Sequence, residues 1–245
     1  MKKLLTLFLL FTSVAWADDM ARVDGGKYKP LFGKGKETSV GSFLIDRTAV
    51  TNANFILFVQ KNQEWKKGKV PVLFADADYL KQWKTDTDVG DKSLLQSPVV
   101  YVSWFGAKAY CESQNKHLPT VQQWEYLAQF GPVNQAKDVN AVILEWYSKP
   151  TPAKLPHVKS TFKNQFGVWD VHGLIWEWTE DFNSAFVTGE SRGDSALEKS
   201  MFCGSGAVGS TNPSDYAAFM RFGFRSSLKG NYTVGNLGFR CVKEK

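Results

Sequence analysis

The stretch FGVWDVHGLIWEWTEDF, residues 166–182, decides the fold. It is aromatic and acidic, and it sets Asp170 and Glu177 on either side of Gly173. The glycine lets the backbone bend between the two carboxylates. Two roles are open to that pair. Hard carboxylate oxygens, joined by backbone carbonyls, suit calcium. Alternatively, the segment is a structural turn whose carboxylates accept hydrogen bonds from backbone amides.

Outward from this stretch, the flanking sequence supplies short elements of mixed period. After it, NLGFRCVKEK at the C-terminus reads as a turn followed by a closing strand. Before it, Thr120 and Gln123 form a capping box, and Trp124, Leu127 and Ala128 give the helix that follows an apolar face. HLPT breaks an earlier helix, WFGAKAYCESQN, which Ser103 caps and whose face carries Ala107, Tyr110 and Cys111. SPVVYVSW ahead of it reads as a short apolar strand. A first helix starts at Thr51, with Phe55, Phe58 and Val59 at i, i+3 and i+4. ARVDGGKYKPLFG and GSFLIDRTAVT read as strands. Residues 61–97 are charged and loop-rich. Residues 131–165 look irregular, with prolines at 132, 150, 152 and 156. Together these predict an irregular, loop-rich α+β single domain.

Composition narrows the functional classes. The chain has 245 residues, with 30 Lys and Arg against 24 Asp and Glu, for a net charge of +6. The lysines are dispersed, with Lys66, Lys67 and Lys69 the densest group, which fits a solvated face and not nucleic-acid binding. Lys2 and Lys3, the apolar run from Leu4 to Phe11, and Ala15-Trp16-Ala17 form a secretory signal peptide over residues 1–17. The run is too short to span a membrane, and no cysteine follows the cleavage site, so no membrane anchor is expected. Residues 18–245 are then one exported domain, periplasmic or secreted. His117, His157 and His172 show no metal-ligand spacing. The cysteines are Cys111, Cys203 and Cys241, an odd count that leaves one thiol over if two pair.

PVVYVSWFGAKAYC, HLPTVQQWEYLA, FGVWDVHGLIWEW and NLGFRC occur in that order. Together they resemble the sulfatase-modifying-factor family, whose best-known members are formylglycine-generating enzymes. VDGGKY and FLIDRTAVTNANFILFV resemble the family's N-terminal strand and first helix, so the likeness runs from about Ala21 to Cys241. It implies a formylglycine-generating-enzyme-type α+β fold with a C-type-lectin-like core. It also implies a disulfide between Cys111 and Cys241. The matching segment binds structural calcium in the family, through positions that correspond to Asp170, the carbonyls of Gly173 and Ile175, and Glu177. The family usually has asparagine where Asp170 stands. Trp176, Arg225 and Asn236 match residues lining the family's substrate cleft, where they would hold a peptide or a carboxylate. Core packing of Trp176 with Arg225 in a structural salt bridge is the other reading of those positions.

The family's oxidation chemistry rests on two cysteines, five residues apart, that bind copper(I) after an R-G-G-S-like turn. Here the turn is CGSGAVGS, and the catalytic positions fall on Val208 or Gly209 and near Ala217. None of them is cysteine, so copper is not expected. Cys203 precedes the turn, where the family tends to have arginine. It is the candidate catalytic thiol only if a cation such as Arg221 or Arg225 lowers its pKa; otherwise it is an inert residue beside Gly204. The resemblance therefore implies an exported accessory protein, or a peptide- or ligand-binding protein for a periplasmic partner enzyme. The alternative is an oxidase acting on a protein cysteine or small molecule with an altered site built from Cys203, Glu177 and Arg225.

Overall fold

The computed structural model describes residues 19–28, 37–133, 139–183 and 213–244. The signal segment and Cys203, Val208 and Gly209 lie outside them. The chain opens with β1 (Met20–Val23), β2 (Gly26–Tyr28), β3 (Thr38–Val40) and β4 (Phe43–Asp46). β1 and β4 are antiparallel, with Ala21 opposite Ile45, and β2 and β3 form a separate antiparallel ribbon. Ala21, Val23, Phe43 and Ile45 are buried while Arg22 between them is exposed, as the period of two requires.

The three expected helices form where their caps place them. In α1 (Asn52–Lys61) the Thr51 side chain accepts from the Asn54 amide, and Phe55, Phe58 and Val59 are buried. In α2 (Trp104–Glu112) Ser103 accepts from the Gly106 amide, and Ala107, Tyr110 and Cys111 are buried. In α3 (Val121–Ala128) Thr120 and Gln123 complete the capping box, and Trp124, Leu127 and Ala128 turn inward.

Other parts depart from expectation. Residues 98–102 are not a strand. Their amides and carbonyls bond to several separate segments: Val99 N to Val50 O at 2.9 Å, Tyr101 N to Val234 O at 3.0 Å, and Leu80 N to Tyr101 O at 2.9 Å. Tyr101 sits at φ 58°, which breaks any ladder. The span taken as irregular contains a helix, α4 (Val139–Tyr147). Another helix, α5 (Pro213–Ser227), packs on α4 and holds all of DYAAFMRFGFRSSL but its last residue, Leu228.

Short strands close the domain. β5 (Trp176–Glu177) pairs in parallel with β6 (Leu237–Gly238), and β7 (Val242–Glu244) joins the far side of β4, giving the sheet order β1-β4-β7. The predicted closing strand is thus split in two. Residues 239–241 between the pieces alternate. Phe239 and Cys241 enter an aromatic core with Phe55, Phe58, Trp83 and Tyr110. Arg240 points the other way, toward the core that Trp124, Leu127, Val168 and Val171 build on the sheet.

Two bonds fix this tail. Cys111 and Cys241 form the disulfide, with Cα atoms 5.6 Å apart across 130 residues of sequence. Arg240 and Glu177 form a salt bridge with both side chains 0% exposed. Arg240 Nε donates to both carboxylate oxygens at 3.0 and 2.8 Å, and Nη2 donates to Oε1 at 2.6 Å. The other donors of Arg240 reach the carbonyls of Trp169 (3.0 Å) and Asp46 (3.3 Å). Trp124 Nε1 adds a bond to Glu177 Oε2 at 2.9 Å.

Two outcomes follow. Non-reducing digestion and mass spectrometry should link the Cys111 and Cys241 peptides, and Cys111→Ala should lower stability by about 4–5 kcal/mol, the entropy of so long a loop. A link from Cys203 to either would contradict the pairing. Arg240→Met leaves a buried carboxylate without its cation and should cost about 3–5 kcal/mol in a denaturant melt. A loss under 1 kcal/mol would mean that the pair is not buried as placed.

Candidate functional site

The helix α3 sets the site. Its capping box fixes the helix phase, so Trp124 and Glu125 fall side by side, facing α5 and β5. From α5, Arg221 and Arg225 stand one turn apart and both reach Glu125. Arg221 donates through Nε to Oε1 at 3.1 Å and through Nη2 to Oε2 at 2.9 Å. Arg225 Nη1 donates to Oε1 at 2.5 Å, and its guanidinium lies 5.0 Å from the Trp124 ring centre. All three charged side chains are largely buried. Burial alone would raise the Glu125 carboxyl, but Arg221 and Arg225 more than offset it and hold the group at about 2. Two guanidinium groups against one carboxylate leave an excess positive charge here.

An aromatic wall adjoins this knot. Trp176 of β5 stacks on Phe224 of α5 at 4.4 Å, on Tyr147 of α4 at 5.2 Å, and lies against Trp146 at 5.3 Å. Burial raises the Tyr147 hydroxyl to about 12, although the nearby Arg221 charge works against the rise. Asn236 joins the wall through its backbone, whose carbonyl accepts from the Trp176 amide at 2.8 Å. Its side chain donates to Thr151 Oγ1 at 3.2 Å. The three expected cleft residues are therefore neighbours around β5 and α5. Arg225 is in a salt bridge and Trp176 is stacked among other rings, as the alternative reading of those two expects.

His172 lies beneath the knot and is 0% exposed. Its Nε2 is 2.9 Å from the Ala128 carbonyl, which makes Nε2 the protonated nitrogen. Burial, with Arg221 adding to it, lowers the imidazole to about 3. It is a neutral packing residue, set edge-on to Trp124 at 5.6 Å, and not a proton carrier at ordinary pH.

The expected calcium ligands take up other partners. Asp170 sits at φ 58° and accepts from Lys159 N at 2.5 Å, Thr161 N at 2.8 Å and Thr161 Oγ1 at 2.8 Å. The Glu177 carboxylate is held by Arg240 and Trp124. Gly173 adopts φ 101°, and a Cβ there would come within 3.1 Å of Thr161. Ile175 is a buried core residue. As placed, both carboxylates are engaged by protein donors, the partners that a structural turn would give them. Among the described residues, no group of three or more His, Cys, Asp or Glu side chains converges as metal ligands.

Sequence reasoning missed the centre of the site. Glu125 and Tyr147 were not singled out, and Arg221 entered only as a possible neighbour of Cys203. The signal was the i, i+4 spacing of Arg221 and Arg225, which on a helix puts two cations on one face and calls for a carboxylate opposite.

The comparisons with known proteins agree with this architecture. A family model described as the sulfatase-modifying factor enzyme 1-like domain matches residues 11–245. The formylglycine-generating enzyme of Streptomyces coelicolor is 27% identical over an alignment 293 residues long, gaps included, that covers 91% of this chain and 88% of that protein. The inactive C-alpha-formylglycine-generating enzyme 2 of Bos taurus is 26% identical over 191 residues, 59% of this chain and 61% of that protein. Among solved structures, PvdO from Pseudomonas aeruginosa superposes with a TM-score of 0.56 at 16% identity, over 92% of this chain and 94% of that one, a likeness of fold alone. With the ordered motifs, the Cys111–Cys241 disulfide and a family match over nearly its whole length, the chain belongs to the sulfatase-modifying factor enzyme 1-like family.

Proposed function

We propose that this protein is an exported, non-oxidising member of its family that binds a peptide or ligand for a periplasmic partner enzyme. The observation that carries this reading is cysteine supply. Three cysteines are present, and two are joined in the disulfide. Cys203 is then a single thiol, and one thiolate does not make the bis-thiolate site that copper(I) favours. Of the positions that match the family's catalytic pair, Ala217 is 0% exposed and apolar. The name of the Bos taurus relative marks that protein as inactive, which supports the reading. Export is supported by the leader pattern of residues 1–17 and by a disulfide, which persists in oxidising compartments.

What remains is a surface for binding. The excess cation of the Arg221–Glu125–Arg225 group favours a carboxylate or the carbonyls of an extended peptide. The rings of Trp146, Tyr147 and Trp176 offer apolar area beside it. The proposal needs no metal and no reactive side chain, and it leaves Asp170 and Glu177 in their structural roles.

Two measurements bear on it. Purified mature protein should carry no stoichiometric copper or iron and should consume no oxygen with cysteine-containing peptides. Stoichiometric copper or iron with turnover would overturn the reading. Calcium added in the millimolar range after chelation should leave the melting temperature unchanged. A rise of several degrees would mean that Asp170 or Glu177 exchanges its present partners for the ion.

A further inference from the structure

A polar cavity of about 120 Å³ opens where the end of β4 meets α1, α2 and the loop after α2. It has room for about four water molecules at about 30 Å³ each. None of its lining residues belongs to the Glu125 group or to the aromatic wall. Four of them are charged, and the charges cancel in pairs. Arg47 Nε lies 2.9 Å from Asp19 Oδ1, and Lys116 Nζ donates to Asp46 Oδ1 at 2.9 Å.

The wall is held in place from behind. Asp46 Oδ2 accepts from the Cys241 amide at 3.0 Å, and Arg47 Nη1 donates to the Gly167 carbonyl at 3.2 Å. Tyr110 reaches the cavity from the aromatic core, where its ring packs on Phe55, Phe58 and Phe239. Burial pushes its hydroxyl up to about 12, so it stays neutral and able to donate. Thr48, Asn54 and Gln114 add one more hydroxyl and two amides. The Thr51 hydroxyl donates to Asn54 Oδ1, which leaves Asn54 Nδ2 as the donor on that side. A rigid bowl of donors and acceptors keeps the ordering cost of binding low.

The lining also selects the ligand. An anion would meet Asp19 and Asp46 along with the cations, and a cation would meet Arg47 and Lys116, so neither sign gains net attraction. A hydroxyl both donates and accepts. Two hydroxyls on adjacent carbons can set one oxygen on a carboxylate as donor and the other on its paired cation as acceptor. That matches ion pairs whose donor and acceptor stand 2.9 Å apart. We infer that this cavity binds a small neutral vicinal diol, whether a free polyol or the edge of a sugar.

Amide shifts in an NMR titration of the protein test the inference. Glycerol should shift the amides of Thr48, Asn54 and Gln114 saturably, with a Kd in the millimolar range, an affinity within reach of so small a ligand. 1-Propanol, which lacks the diol, should bind about tenfold more weakly, because it leaves polar groups of the wall unpaired. Acetate and glycine should give no saturable response. Methyl glucoside separates the two sources: tighter binding than glycerol assigns the cavity to a sugar, and weaker binding assigns it to a free polyol. Thr48→Val and Gln114→Leu should each weaken glycerol binding about fivefold, the loss of one neutral hydrogen bond, with the melting temperature unchanged. Absence of a saturable shift with glycerol would overturn the inference. So would tighter binding of acetate, glycine or 1-propanol than of glycerol, or an unaltered Kd in both variants.

Discussion

The buried pair of Arg240 and Glu177 is the constraint on which the rest of the structure depends. A guanidinium and a carboxylate at zero exposure carry a large desolvation cost, and only complete hydrogen bonding offsets it. Here the offset needs five separate parts of the chain. β5 supplies Glu177, the tail supplies Arg240, α3 supplies the Trp124 indole, and the carbonyls of Asp46 and Trp169 take the remaining guanidinium donors. If any of these parts moves, a charged or polar group is left buried without a partner. The ion pair therefore gives the assembly its precision more than its stability. The parallel pairing of Glu177 with Gly238 sets the distance along the chain at which Arg240 must turn inward.

Alternation along the tail then couples the two main cores. Phe239 and Cys241 face the aromatic core, and Arg240 faces the core against the sheet. The disulfide anchors one side of this segment to α2 and the salt bridge anchors the other to β5. Asp46 reinforces the junction: it accepts from Lys116 Nζ at 2.9 Å and from the Cys241 amide at 3.0 Å. Burial raises the Asp46 carboxyl, and the Lys116 charge opposes that rise. A short stretch at the C-terminus thus holds both halves of the domain, although most of the chain lies between it and the elements it ties.

How much was legible in the sequence followed the range of the forces involved. Local signals were sound: Thr51, Ser103 and Thr120 cap the helices they were expected to cap, and the apolar faces of α1, α2 and α3 are buried as their periods require. The disulfide followed from a resemblance, since three cysteines alone do not choose a pair. Tertiary contacts were not legible. SPVVYVSW has strand composition, but Tyr101 is turned to positive φ and its neighbours bond to distant loops. The residues of α4 lie among prolines that suggested irregular chain, and the helix forms between them and packs on α5. Asp170 was expected either to bind calcium or to accept from backbone amides in a turn. Whether its partners were a cation or the amides of Lys159 and Thr161 depends on a loop fold that no local pattern encodes.

The same division explains how such a scaffold can change its chemistry. The motifs that carry the resemblance are largely residues that hold the fold: Cys111 and Cys241 in the disulfide, Glu177 and Arg240 in the ion pair, Trp124 and Trp178 donating to Glu177 and to the Val102 carbonyl. The resemblance puts the family's catalytic cysteine positions at Val208 or Gly209 and near Ala217, and Ala217, the one of these that the structure describes, takes part in none of these bonds. The knot of Glu125, Arg221 and Arg225 ties two helices together. It anchors the last turns of α5 to α3 and also offers surplus charge at the edge of the aromatic wall. A site built from structural cations can bind without reacting, which is the property an accessory protein requires.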